Sequence, residues 1–228
     1  MAIILNIDTA TETGSFCISE DAEPLYFASQ EKQKDHAAWL HRAIENGINE
    51  LNLSMKNLDA VGITSGPGSY TGLRVAMAAA KGICYALNIP MITENTLKVM
   101  AKRAIDQFIN QSEFSFAWYC PMIDARRDEV FTALYNENLE EIVPTEAMIL
   151  QRDSFHGWLS QGKILFFGSG SEKWKAMNQQ ANASYADIIP DAATLGSFTF
   201  NKYKNKEFTE LSYSEPAYTK EFFTHTRN

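Results

Sequence analysis

The chain has 228 residues, 45% of them hydrophobic and 21% charged, enough for one large domain or two small ones with cores of their own. No apolar run approaches the roughly 18 residues of a membrane span, and the N-terminus lacks the basic flank of a signal peptide, so a cytoplasmic protein away from membranes is expected. The formal net charge is −8 and the densest basic places are mere pairs, Lys102 with Arg103 and Arg126 with Arg127, which argues against tight binding of nucleic-acid phosphates by this chain alone.

In chain order, residues 3–8 make a continuous apolar run ending in a carboxylate, the pattern of a buried strand. After a polar turn at 9–14, residues 15–19 and 24–29 read as second and third strands. A helix is predicted over 35–51, with Leu40, Ile44, Ile48 and Leu51 on one face and Asp35 placed to cap it. Residues 60–64 read as a short buried strand, 65–69 as a turn, and 71–87 as a second helix stopped by Asn88 and Pro90. A strand at 90–92 and a helix at 96–108 complete the order βββαβαβα.

The second half repeats that order less clearly. Strands are predicted at 116–124, 129–135, near 140–144 and at 164–167, with helices at 172–179 and 191–198. Two copies of one unit imply an internal duplication with a boundary near Gln111, giving subdomains 1–110 and 111–228. The expected fold class is α/β, built from duplicated βββαβαβα units in the order of the actin, sugar-kinase and Hsp70-like (ASKHA) superfamily. Cys17, Cys84 and Cys120 are far apart among apolar neighbours, which fits reduced core thiols.

The turn and second helix contain Ser65-Gly-Pro-Gly-Ser-Tyr-Thr-Gly-Leu-Arg74, continuing through Val75-Ala-Met-Ala-Ala-Ala-Lys-Gly82. Gly66 and Gly68 suit positive φ, Pro67 fixes a turn, and Ser69 or Thr71 is placed to cap the helix. A phosphate loop would carry Gly-Lys-Ser/Thr after its glycines, whereas Gly72-Leu73-Arg74 stands here, and Pro67 lacks a backbone donor. On the helix, Gly72, Ala76 and Ala80 recur every fourth residue while Leu73, Val75, Met77 and Ile83 leave the rest apolar. Such a helix is either sandwiched within its own domain or offers one face to a partner.

These residues resemble the signature of the TsaB (YeaZ) family. Asp8-Thr9, Asp124-Ala-Arg-Arg-Asp-Glu-Val130 and Pro216-Ala-Tyr218 match the same family in order and spacing. The resemblance implies a non-catalytic scaffold for transfer of threonylcarbamoyl to the tRNA adenosine next to the anticodon. It implies pairing with the catalytic relative TsaD, engagement of the ATPase TsaE, a homodimer when alone, and tRNA contact only through the complex. In that family the first two helices form the pairing surface, so Leu40, Ile44, Tyr70, Gly72, Leu73, Arg74, Ala76, Met77 and Ala80 are the interface candidates.

No cofactor is expected. A degenerate nucleotide site with weak or lost ATP or ADP binding would use Asp8, Thr9, Asp124, Arg126, Gly168 and Gly170. At its second hairpin Ala125 and Arg126 stand where a glycine would admit phosphate, and Gly168 and Gly170 serve equally well in a strand-to-helix turn. TsaD holds a metal through two histidines and an aspartate. Here His36 and His41 point about 140° apart on a helix, and Asp191 more simply caps the helix after it, so no metal site is expected. The rival functions are a free-standing ATPase or small-molecule kinase and, behind it, a metallopeptidase of the glycoprotease kind.

Overall fold

The computed structural model describes residues 1–31, 36–109, 115–178 and 180–217. The first half runs β1 (Ile3–Asp8), β2 (Gly14–Glu20), β3 (Glu23–Gln30), α1 (His36–Glu50), a 3₁₀ turn at Met55–Asn57, β4 (Ala60–Gly66), α2 (Tyr70–Leu87), β5 (Met91–Asn95) and α3 (Thr96–Phe108). The second runs β6 (Trp118–Asp124), β7 (Glu129–Tyr135), β8 (Glu141–Ile149), α4 (His156–Leu159), β9 (Ile164–Phe167), α5 (Ser171–Met177), β10 (Ala183–Ala186) and α6 (Ala192–Asn205).

The duplication is plain in the sheets. The first has the order β3-β2-β1-β4-β5, the second β8-β7-β6-β9-β10, and these are the same order unit for unit. In each, the first three strands are antiparallel, as hairpins allow, and the last two run parallel to the first, as crossover helices require. This is the ASKHA-like α/β architecture.

The helices differ between the copies. Between third and fourth strands the first copy has the 15-residue α1, the second the 4-residue α4; the next crossover is the 18-residue α2 against the 7-residue α5. Helices α1 and α2 pack on one face of the first sheet through Leu40, Ile44, Ala76, Met77 and Ala80. The other face takes α6, from the far end of the chain, while α3 packs on β6 and β7 of the second sheet. Each half thus lends its closing helix to the other, across a boundary whose expected residue, Gln111, lies outside the described residues.

Most element bounds match the sequence pattern within a few residues. The short α4 and β10 were not expected, β8 runs on to Ile149, and α6 extends to Asn205, well past the predicted end at 198. The last difference has a physical source. Helix α6 docks partly through buried polar groups, Thr199 Oγ1 donating to Asn6 Oδ1 at 2.5 Å and Asn6 Nδ2 to Ser19 Oγ at 3.1 Å, so its apolar period is weak. The cap expected of Asp35 falls outside the described residues.

Candidate partner surface and cleft

The turns that end β1 and β6 face a common cleft of about 1520 Å³. Its walls are Thr11, Glu12 and Thr13 of the first turn, Asp124 and Arg126 of the second, the start of α2, and the β9–α5 turn. Asp8 and Thr9 do not reach it. Both are fully buried. Asp8 Oδ1 accepts from Thr64 Oγ1 at 2.5 Å and from the Ala10 amide at 3.1 Å, while Oδ2 has no hydrogen-bond partner. Burial pushes the carboxyl up to about 6, against those two bonds, which pull it down. Thr9 Oγ1 donates to the Gly72 carbonyl at 2.7 Å. The expectation that these two residues belong to a nucleotide site is corrected: they pack the start of α2 onto β1.

On the opposite wall Asp124 is held by Lys173 Nζ at 2.7 Å and by the Arg126 amide at 2.6 Å. Arg126 and Arg127 sit in the left-handed region, at φ 70° and 53°, where glycine is favoured. Gly168 has φ 92°, and a Cβ there would lie 2.5 Å from the Met122 carbonyl oxygen; one on Gly170 would lie 2.7 Å from Val130 Cγ1. Both glycines are therefore needed by the strand-to-helix turn itself, and Gly168 also lines the cleft. The cleft's ionisable lining includes Glu12, Asp124, Glu172 and Asp187 against Arg126 and Lys175, and Lys175 is paired with Glu172 at 3.3 Å.

The motif turn at 65–69 is fixed from two sides. Ser69 caps α2, its Oγ accepting from the Gly72 amide at 3.3 Å, and its own amide donates to the Ala10 carbonyl at 2.7 Å. Gly66 adopts φ 119°, but Gly68 is required for closeness rather than φ, since a Cβ would stand 2.3 Å from the Ala10 oxygen. Gly72 presses likewise on Thr9.

The interface candidates divide. Leu40, Ile44, Gly72, Leu73, Ala76, Met77 and Ala80 are all buried within the chain, Ala76 and Ala80 completely. The row Gly72, Ala76, Ala80 therefore faces the chain's own sheet and not a partner, a correction that follows from α2 having its broadest apolar side inward. Tyr70 and Arg74 remain exposed, with the guanidinium 4.3 Å from the ring centre. The outward face of α2 continues through Ala78, Gly82 and Tyr85, three residues the apolar pattern did not single out; Tyr85 is 83% exposed. Beside it lies a mostly apolar groove of about 450 Å³, floored by Ile44 and Ile48 and edged by His41, Leu53, Met55 and Ile83.

His41 belongs to that groove, and the side chain of His36 lies outside the described residues. Asp191 caps α6 through the Thr194 amide at 2.7 Å and pairs with Arg103 at 3.0 Å. Among the described residues no group of three metal-binding side chains gathers, and no helix is long and apolar enough to cross a membrane.

Residues 28–212 match the family model described as "TsaD: tRNA N6-adenosine threonylcarbamoyltransferase". The chain is 30% identical over 185 residues to the tRNA threonylcarbamoyladenosine biosynthesis protein TsaB of Bacillus subtilis (strain 168), covering 76% of this chain and 74% of that one. With the TsaB of Haemophilus influenzae identity is 30% over 229 residues, covering 94% and 92%. This chain belongs to the TsaB family. The structure titled "YeaZ from Pseudomonas aeruginosa" superposes with a TM-score of 0.79 at 24% identity, over 96% of this chain and all of that one, and so shares the fold. Within this TsaB-family chain two motifs far apart in sequence meet: the Ala217 amide donates to the Ser65 carbonyl at 2.7 Å. Tyr218, the last residue of that second motif, lies outside the described residues.

Proposed function

We propose that this chain is the non-catalytic partner of TsaD in threonylcarbamoyl addition to tRNA, pairing through the outer face of α1 and α2. On this reading TsaE engages the assembled pair, tRNA is contacted through the complex, and the chain forms a homodimer when alone. The cleft binds nucleotide weakly or not at all. What supports that part is the burial of Asp8 and Thr9, the close packing of the chain around Gly168 and Gly170, and the acidic lining, which repels phosphates.

The observation that carries the pairing is Gly82. It lies in the interior of an 18-residue helix, and a Cβ there would meet nothing within 4 Å. Glycine at such a place weakens a helix by about 1 kcal/mol relative to alanine, and no contact inside the chain requires it. Close approach of a second helix does. Tyr70, Arg74 and Tyr85 flank it, side-chain types that anchor interfaces, and the apolar groove beside it offers a recess for the partner's side chains.

The test is Gly82→Arg. Arginine is the better helix former by about 0.8 kcal/mol, so the variant should unfold at the same or a higher temperature than the parent. In sizing and calorimetric titration with TsaD it should fail to pair. A folded variant that pairs at parental affinity would remove this face from the interface.

A further inference from the structure

The segment after α6 does more than end the chain. At Lys206 the backbone turns through φ 59°, and the chain crosses the open edge of the first sheet from the α6 face to the α2 face. At that edge Thr209 pairs with Met91 of β5: its amide donates to the Met91 carbonyl at 2.8 Å, and its Oγ1 accepts from the Thr93 amide at 3.1 Å. Leu211 then joins the core under α1 and α2, and Ser214 stands against Met77 of α2. The crossing ends at the motif turn, with the Ala217 amide on the Ser65 carbonyl at 2.7 Å and the Ala217 oxygen 2.8 Å from where a Gly66 Cβ would be.

We infer that residues 206–217 are a positioning strap, which holds the β4–α2 turn and thereby the partner face of α2 in its pairing orientation. The inference rests on the proposed pairing with TsaD for its functional half. The geometry behind it is a two-point fixation. On one side the turn is tied to the β1–β2 turn by the Ser69 amide and by the close seats of Gly68 and Gly72 on Ala10 and Thr9. On the other side the strap supplies the hold described above. Tyr70 and Arg74 stand on the first two turns of α2, directly after this pinned segment, so an error in its placement is carried to them. Through Lys202, which donates to the Thr93 carbonyl at 2.8 Å, the end of α6 grips the same end of β5. The strap thus links the helix that covers one face of the sheet to the helix that meets the partner on the other.

The test compares Ala217→Pro, which deletes the amide that reaches Ser65, with Ala217→Ser, which keeps it. Thr209→Val loosens the strap at its middle without touching α2. All are made in the full chain and studied well below the unfolding temperature. Hydrogen exchange of peptides covering 65–74 should quicken in Ala217→Pro and Thr209→Val. Affinity for TsaD should fall by about five- to tenfold, the scale of one backbone hydrogen bond with the contacts it orders. Ala217→Ser should match the parent in both readouts. Unchanged exchange at 65–74 would overturn the strap, and quickened exchange with parental affinity would overturn its positioning role, leaving it a purely structural edge cover. If the parent itself does not pair with TsaD, it is the pairing reading that fails, before any substitution is made; the positioning role falls with it, and exchange still decides whether the strap holds the turn.

Discussion

Asp8 is a carboxyl group kept where ionisation is disfavoured. It is fully buried at the end of β1, one oxygen has no partner, and burial holds its pKa at about 6 against an ordinary value of 3.8. The nearby charges are Asp191, which raises it further, and Arg103, which lowers it. Because the folded state holds this proton more tightly than the unfolded chain, Asp8 favours folding most below pH 3.8. That contribution is lost as pH rises through the window from 3.8 to about 6, and at neutral pH the ionised group weighs against the fold by roughly 2–3 kcal/mol. Asp8→Asn keeps an acceptor for Thr64 and Ala10 but leaves an amide group without a partner, a cost of about 1–3 kcal/mol that offsets much of the gain. The variant should therefore lose the fall in stability between pH 4 and pH 6.5 while changing little at pH 7. Chemical unfolding at several pH values checks this; a parental slope in Asp8→Asn would show that another group titrates. The sequence marked Asp8 as special from its place after an apolar run. It could not say that the carboxyl turns inward, because that depends on Thr64, 56 residues away.

At the scale of elements, nearly every strand and helix was legible, since period and length separate them well. What periodicity left open was direction. Helix α2 is apolar around most of its circumference, so the row Gly72, Ala76, Ala80 stood out as a contact face, while the row Arg74, Ala78, Gly82 was not singled out. Small residues suit either a close sheet or a close partner. The structure assigns the first row to the sheet, with Ala76 and Ala80 fully buried, and leaves the second outward. That assignment reverses the expected behaviour of Ala76→Arg. A surface alanine would give a folded chain unable to pair, but here the guanidinium would enter the core beneath α2 with no counter-charge, a penalty of at least several kcal/mol against a typical total stability of about 5–15 kcal/mol. Ala76→Arg should be recovered unfolded or aggregated, as circular dichroism and sizing would show. A soluble, natively folded monomer would place Ala76 at the surface. The same limit explains α6, whose buried Thr199 disguised the inward side of a helix that the far half of the chain lends to the first sheet.

Over the whole molecule, one pattern is used twice and then specialised. The duplicate sheets have the same strand order, yet the long crossover helices survive only in the first copy among the described residues, and those helices carry the proposed pairing face. The charge follows a similar logic. A net charge of −8 disfavours RNA at long range, and several of the described cations are held in ion pairs. Lys102 is paired with Asp106, Arg103 with Asp191, Lys173 with Asp124, Lys175 with Glu172 and Lys202 with Glu94. Outside these bridges the adjacent basic pair among the described residues is Arg126 and Arg127 at the β6–β7 turn, with Asp128 beside them. Two arginines can displace counterions from about two phosphates, a log–log salt slope no steeper than about −2 and too little for stable binding at physiological salt. The isolated chain should therefore show no saturable binding to labelled tRNA in a fluorescence titration at that salt, whereas its complex with TsaD should. Saturable binding by the isolated chain, with a slope of −4 or steeper on the same rough scale, would require at least four phosphate contacts. The Arg126–Arg127 pair cannot supply them, so that result would overturn the view that RNA meets this protein through its partner.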